Sequence, residues 1–165
     1  MSRGFTLVEI LVVVVIIGVL ATALVLRVDI AGGARQVEHE AEQARALIGY
    51  ACEQAELRGR EIGVSMSTSG YRFSQLEQDA WLPFGEGELR TRSWLPNSAI
   101  GLSRDGHAVA LAGDYPDVPQ LLCYSSGELT AFELDLGLPE VNPHYRVEGH
   151  PDGTLALRSV DAHAH

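Results

Sequence analysis

MSRGFTLVEILVVVVIIGVLATALVL, residues 1–26, is the stretch that decides the architecture of this chain. Residues 10–26 are apolar apart from Gly18 and Thr22, and as a helix they would extend about 25 Å. The apolar core of a bilayer is about 30 Å thick, so the addition of residues 5–9 gives a spanning length. The sequence therefore predicts a transmembrane helix over residues 5–26.

Glu9 is an acidic residue inside this otherwise apolar helix. Such a side chain costs about 2.5 to 3.5 kcal/mol at the centre of a bilayer, and less near the interface. The apolar segment contains no basic residue with which the carboxylate could pair. We therefore expect Glu9 to gain its partner from outside the segment.

Two ordinary explanations of the hydrophobic segment fit poorly. A secretory signal peptide needs a cleavage site after its apolar region, but the small residues 21–23 are followed by further apolar residues at 24–26. A plain signal anchor fits the hydropathy but leaves the cost of Glu9 unexplained. A third explanation comes from the residues that precede the apolar run.

The string Arg3-Gly4-Phe5-Thr6-Leu7-Val8-Glu9-Ile10 resembles the type IV prepilin and pseudopilin signature. The resemblance implies that a prepilin peptidase cleaves between Gly4 and Phe5 and that the new amino group of Phe5 is methylated. It also implies that Glu9 neutralises the amine of a neighbouring subunit during assembly. A motif of this kind is informative because the apolar helix follows it directly.

The orientation in the membrane does not follow from charge alone. Arg3 and the amino terminus precede the apolar helix, whereas Arg27 and Arg35 follow it, which is nearly a tie under the positive-inside rule. The resemblance implies a single-pass protein of the bacterial inner membrane with its C-terminal domain in the periplasm.

A second, amphipathic helical pattern follows the hydrophobic segment. Its apolar residues recur every three or four positions, which is typical of a helix packed on a core: Val37, Ala41, Ala44, Ile48, Ala51, Cys52 and Ala55. Gly32 and Gly33 favour a bend or a break near residues 30–34, so we expect either one long helix or a broken one, and Gly59 is its expected end. We divide the chain into a cleaved leader (1–4), an assembly helix (5–26), a helical continuation (27–60) and a periplasmic β-rich domain (61–165).

The β-rich region consists of short apolar runs separated by turn residues. The runs predict strands at 62–66, 71–76, 89–95, 99–103, 108–111, 120–124, 129–136, 145–148 and 154–160. A long N-terminal helix packed on antiparallel sheets gives an α+β fold class. Residues 77–88 and 113–119 are rich in Gly or Pro and are predicted to be surface loops suited to recognition.

Charge and cysteine content narrow the choice of partners. The formal net charge is −10 and all 12 basic residues are Arg, so nucleic acid is not an expected partner. We interpret the acidic excess as a solvated surface: Glu38, Glu40, Glu42, Glu53, Glu56, Glu61, Glu77, Asp79, Glu86 and Glu88.

Cys52 and Cys123 both fall on apolar registers, so we expect two buried thiols, although an oxidising compartment would allow them to pair.

Metal, cofactor and catalytic motifs are missing from the sequence. Acidic residues scattered among Gly and Pro, namely Asp114, Asp117, Glu140 and Asp152, do not form the dense set of oxygen ligands that calcium requires. The sequence has no Gly-x-Ser-x-Gly, His-Glu-x-x-His or phosphate-loop motif. We therefore expect no metal, no cofactor and no enzymatic activity, with a membrane-anchored hydrolase as the remaining alternative.

The segment Pro119-Gln-Leu-Leu-Cys-Tyr-Ser-Ser-Gly-Glu-Leu-Thr-Ala-Phe-Glu-Leu134 resembles the strand-turn-strand of the minor pseudopilin H family (GspH) of type II secretion systems. This implies a structural subunit near the tip of a periplasmic pseudopilus that supports export of folded proteins. The implied partners are the other minor and major pseudopilins, the prepilin peptidase, the inner-membrane assembly platform and, before assembly, membrane lipid. A FimT-like minor pilin of a type IV pilus is the nearest alternative.

Overall fold

The computed structural model describes residues 7–161, and within them only the backbone of residues 22–31. Gly4 and Phe5 lie outside the described residues. Helix α1 (Leu7–Arg58) runs without interruption, so of the two expected forms the long helix is present, without a break near residues 30–34. Gly33 instead allows a close approach, because a Cβ atom there would lie 3.1 Å from Cγ2 of Val141. Across the described residues, no helical stretch combines the length and apolarity needed to cross a membrane.

The C-terminal half of α1 packs on the β-rich region through the predicted stripe. All seven residues of that stripe are buried, with exposed fractions of 6% or less. The helix ends as predicted at Gly59, whose φ of +62° suits glycine. The backbone N–H of Arg60 donates to the carbonyl of Ala55 at 3.1 Å, and that of Gly59 donates to Glu56 at 3.3 Å. These two bonds satisfy carbonyl groups that the helix end would otherwise leave open.

Within the described residues, ten strands follow α1 and form two antiparallel sheets. In chain order they are β1 (Ile62–Met66), β2 (Gly70–Glu77), β3 (Ala80–Pro83), β4 (Arg92–Ser93), β5 (Ala99–Arg104), β6 (His107–Val109), β7 (Leu121–Cys123), β8 (Phe132–Gly137), β9 (His144–Gly149) and β10 (Leu155–Val160). Sheet 1 has the order β3-β2-β1-β7, with β4 paired to β2, and sheet 2 has the order β10-β9-β8-β5-β6. The predicted α+β class is confirmed.

The hydrophobic core lies between α1 and both sheets. The helix contacts β1 and β7 of sheet 1 and β8, β9 and β10 of sheet 2. Ile48 of the helix, Phe73 of sheet 1 and Leu134 of sheet 2 are fully buried in one cluster. Beyond β7, Thr130 N donates to the carbonyl of Leu122 at 3.0 Å before the chain enters sheet 2. Strand β7 is therefore the edge strand of sheet 1 that contacts the helix and is bonded to the segment leading into sheet 2.

One predicted loop contains a strand. Residues 77–88 were expected to be irregular, but β3 pairs with β2 through a turn at Gln78 and Asp79. Both turn residues have positive φ, +46° and +68°, a conformation usually taken by Gly or Asn. The absence of glycine from this turn is why the hairpin was missed. Conversely, the strand predicted at 89–95 is reduced to β4, although Trp94 is buried as predicted for an apolar run.

The 113–119 segment is a surface loop, as predicted, and it is anchored to sheet 1. It lies across the outer face of sheet 1, where the carbonyl of Pro116 accepts a bond from Arg72 Nη2 at 3.1 Å and from Ser65 Oγ at 3.4 Å. Gly63 is required beneath it, since a Cβ atom there would lie 2.3 Å from Cγ of Pro119. The prolines in this segment pack on the sheet.

Cys52 and Cys123 form a disulfide, so the expectation of two free thiols was wrong. Both residues are buried, as their apolar registers predicted. The sequence separation of 71 between them carries no signal of proximity. Only the packing of α1 over β7 brings their Cα atoms to 4.8 Å.

Candidate functional site

In the first half of α1, the described side chains of residues 7–21 are exposed and, apart from Glu9, apolar. The large apolar side chains of residues 7–20 are between 45% and 82% exposed. A helix that is hydrophobic all round is normally covered by lipid or by other helices. This half of the helix is therefore the candidate site for membrane insertion and subunit packing.

Glu9 lies in the first turn of this exposed helix. A carboxylate at a helix N-terminus is favoured by the helix dipole, which accounts for its local position. With helical spacing, Val13, Ile16 and Leu20 continue the helix face on which Glu9 lies. An apolar partner that covered this face would also cover the carboxylate. The other two predicted site residues, Gly4 and Phe5, precede the described residues.

The turn at Ser126 and Gly127 is a structural hairpin turn. Gly127 has a φ of +91°, and Tyr124 N donates to the carbonyl of Glu128 at 2.9 Å across the turn. Ser126 Oγ is hydrogen-bonded to the carboxylate of Glu128 at 3.4 Å, and Phe132 is buried. The Ser126 hydroxyl thus serves the turn, which gives no support to a hydrolase that uses this serine.

The acidic residues considered as calcium ligands do not converge. Asp152 Oδ1 accepts bonds from the backbone N–H of Thr154 at 3.0 Å and from its hydroxyl at 2.6 Å. These bonds lower the pKa of Asp152 and close the turn between β9 and β10. Within residues 7–161, no group of three or more His, Cys, Asp or Glu side chains is placed to hold a metal ion.

Glu40 is the acidic residue that sequence reasoning misplaced. It was assigned to the solvated surface, but only 8% of it is exposed. Its Oε1 accepts a 2.6 Å bond from the backbone N–H of Leu95, and its Oε2 lies 3.4 Å from Ser98 Oγ. Burial raises the pKa of Glu40, although both bonds act in the opposite direction. Its position three residues after Val37 was the available signal, because that spacing places it beside the buried stripe.

The outer face of sheet 2 is charged and partly ion-paired. Arg146 contacts Asp135 at 2.6 Å and Glu133 at 2.8 Å, while Arg158 contacts Glu148 at 2.9 Å. Hydrogen bonding to Asp135 is the main cause that raises the pKa of Arg146. Arg146 and Glu148 are partly buried, with side-chain exposures of 24% and 18%.

Comparisons with known proteins agree with the motif and the fold. Residues 1–25 match the family described as Prokaryotic N-terminal methylation motif. The chain is 37% identical to the type II secretion system protein H of Pseudomonas aeruginosa, over 82% of this chain and 83% of that protein. It is 26% identical to the protein of the same name from Aeromonas hydrophila, over 87% and 85% of the two chains.

A solved structure supports the same fold. The crystal structure of the minor pseudopilin EpsH of Vibrio cholerae matches with a TM-score of 0.65 at 23% identity, over 80% of this chain and 99% of that one. The fold is therefore shared, and the similarity to the Pseudomonas protein extends over most of both chains. This chain belongs to the type II secretion system protein H family.

Proposed function

We propose that this chain is a minor pseudopilin, a structural and non-enzymatic subunit near the tip of the periplasmic pseudopilus of a type II secretion system. One observation carries the proposal: α1 is a single helix that buries one face of its second half against the β-rich domain, while residues 7–21 are exposed and, apart from Glu9, apolar. Such a helix connects a folded domain to a bundle of helices. Membership of the protein H family supports the same role.

Maturation begins with cleavage between Gly4 and Phe5 by a prepilin peptidase. Cleavage removes only residues 1–4 and leaves the apolar helix attached to the domain. The new amino group of Phe5 is then methylated. The match of residues 1–25 to the methylation motif supports both steps.

Glu9 acts when the helix leaves the lipid and joins the filament. Its carboxylate pairs with the amine of Phe5 on a neighbouring subunit, in an environment of apolar side chains. A buried charge without its counterpart is strongly unfavourable, so the pair penalises wrong registers more than it adds stability. The protein is thus inserted once across the inner membrane, with its domain in the periplasm, until the assembly platform and the other pseudopilins receive it.

Substitution of Glu9 by Val tests this role. We expect Glu9→Val to be inserted and cleaved normally, because neither step needs the pairing, but to fail to incorporate into the pseudopilus. Export of a folded substrate and co-purification with other pseudopilins from cross-linked membranes are the measurements. Glu53→Val is the matched control, since Glu53 is an exposed residue on the same helix, beyond the apolar half.

Two outcomes decide the proposal. Normal incorporation of Glu9→Val would contradict the pairing role. Co-purification of the unaltered chain with pilus subunits in place of pseudopilins would favour the minor-pilin alternative. A substitution at Gly4 that blocks cleavage should leave residues 1–4 attached. It should prevent assembly because the amino group of Phe5 is then not released.

A further inference from the structure

The disulfide between Cys52 and Cys123 joins the helix to the β-rich domain. Cys52 lies in the last two turns of α1, and Cys123 ends β7, the edge strand of sheet 1 that contacts the helix. The bond closes a loop with a sequence separation of 71, which contains all of sheet 1 and two strands of sheet 2. It is therefore placed to fasten the helix that enters the filament to the domain that the helix carries.

The two sulfur atoms are shielded from solvent. Cys52 is 6% exposed and Cys123 is fully buried, with its Sγ 3.9 Å from the carbonyl of Ile48. Thiol–disulfide exchange requires the attacking thiolate to reach a sulfur atom directly. An oxidant cannot reach either residue once α1 lies against β7. The bond must therefore form while this contact is still open.

The disulfide also indicates the side of the membrane on which the domain lies. Stable disulfides form in oxidising environments such as the periplasm and are rare in the cytosol. The charges that flank the apolar helix did not decide its orientation, whereas the disulfide favours a domain outside the cytoplasm. This argument depends on the proposed function only for the identity of the membrane.

We propose that this chain is a client of a periplasmic dithiol oxidase, which forms the bond between Cys52 and Cys123 before α1 closes on β7. The thiolate of one cysteine attacks the disulfide of the oxidase, forms a mixed disulfide and releases one oxidase thiol. The second cysteine attacks the mixed disulfide and releases the other. The two cysteines are oxidised and the oxidase disulfide is reduced to a dithiol. The two protons that the cysteine thiols lose are taken up by the two oxidase thiols.

Thiol labelling of the full chain in cells tests the proposal. Cells that contain or lack the dithiol oxidase are quenched with acid, and free thiols are labelled under denaturing conditions with a maleimide carrying polyethylene glycol. We expect no label on the chain from normal cells and two labels on the chain from cells without the oxidase. The control variants Cys52→Ser and Cys123→Ser should each accept one label in both strains.

A separate measurement tests whether the disulfide forms before α1 closes on β7. Membranes that contain the oxidised chain are treated with dithiothreitol with and without denaturant, and the rate of reduction is followed by the same labelling. We expect reduction of the native chain to be at least about 100-fold slower, because it requires local opening of the helix contact. Equal rates would overturn the claim that the bond forms before the contact closes.

The remaining outcomes are equally decisive. Two labels in normal cells would show that the cysteines are not paired, and an oxidised chain in cells without the oxidase would show that the chain is not its client. Labelling does not depend on filament assembly. An oxidised chain that fails to join the pseudopilus would therefore refute the proposed function while leaving this inference intact.

Discussion

The buried carboxylate of Glu40 provides a quantitative test of how α1 is held on the domain. Glu40→Ala removes the acceptor for the 2.6 Å bond from Leu95 N–H and leaves that buried donor unsatisfied. A charge-assisted bond of this kind contributes about 1.5 to 3 kcal/mol, and the long contact to Ser98 at 3.4 Å adds little. We expect Glu40→Ala to lower the free energy of unfolding by about 2 kcal/mol. Glu40→Gln, whose amide oxygen can still accept, should lower it by about 1 kcal/mol or less.

The same carboxylate predicts a dependence of stability on pH. Burial raises the pKa of folded Glu40 above the usual 4.5, so the folded chain takes up a proton before the unfolded chain does as the pH falls. The stability of the unaltered protein relative to Glu40→Gln should therefore rise as the pH falls from neutral through the raised pKa toward 4.5. The unaltered protein loses this gain in stability relative to Glu40→Gln as the pH rises through the pKa of folded Glu40.

Urea unfolding of the full chain in detergent, followed by tryptophan fluorescence, measures both effects. Trp94 is buried next to Leu95, so its emission reports on this contact directly. Glu53→Gln is the control, since Glu53 is exposed on the same helix. The reasoning is refuted if Glu40→Ala and Glu53→Gln have equal stability, or if the difference between the unaltered protein and Glu40→Gln does not change with pH.

Three further substitutions test individual packing and turn arguments by the same urea measurement. Gly63→Ala should cost about 1 to 3 kcal/mol because its Cβ would meet the ring of Pro119 at 2.3 Å, whereas Gly113→Ala, with open space around it, should change stability by less than about 0.5 kcal/mol. A Gly127→Ala change should cost about 1 to 2 kcal/mol, because alanine is strained at a φ of +91°; equal stability would count against that turn. Asp79→Gly should stabilise the β2–β3 hairpin by about 0.5 kcal/mol because its φ is +68°, and a loss of stability would show that the aspartate relieves this strain.

The contrast between Val37 and Glu40 shows what the sequence pattern could and could not predict. The helical spacing identified seven of the buried apolar residues of α1 and missed Leu47, which is 8% exposed. Apolar burial dominates the placement of a helix face, so most of the stripe could be predicted. The same spacing placed Glu40 at the edge of that stripe, but acidic side chains are mostly exposed to solvent. Whether a carboxylate is buried depends on whether a donor such as Leu95 N–H meets it, and that donor is 55 residues away in sequence.

Long-range contacts explain the other differences. Gly33 was interpreted as a joint, but its role depends on Val141, which approaches it from a distant loop. Cys52 and Cys123 had the right register for burial, yet only the folded arrangement shows that they pair. The motif around Glu9, in contrast, is local and precedes the domain, so it was readable before the fold was known.

The mass of the mature N-terminus tests the central claim most directly. The full chain is isolated from the inner membrane of cells that contain the secretion machinery, and its N-terminal peptide is measured by mass spectrometry. The account predicts a chain that begins at Phe5 and carries one added methyl group. An intact chain that still begins at Met1 would contradict it.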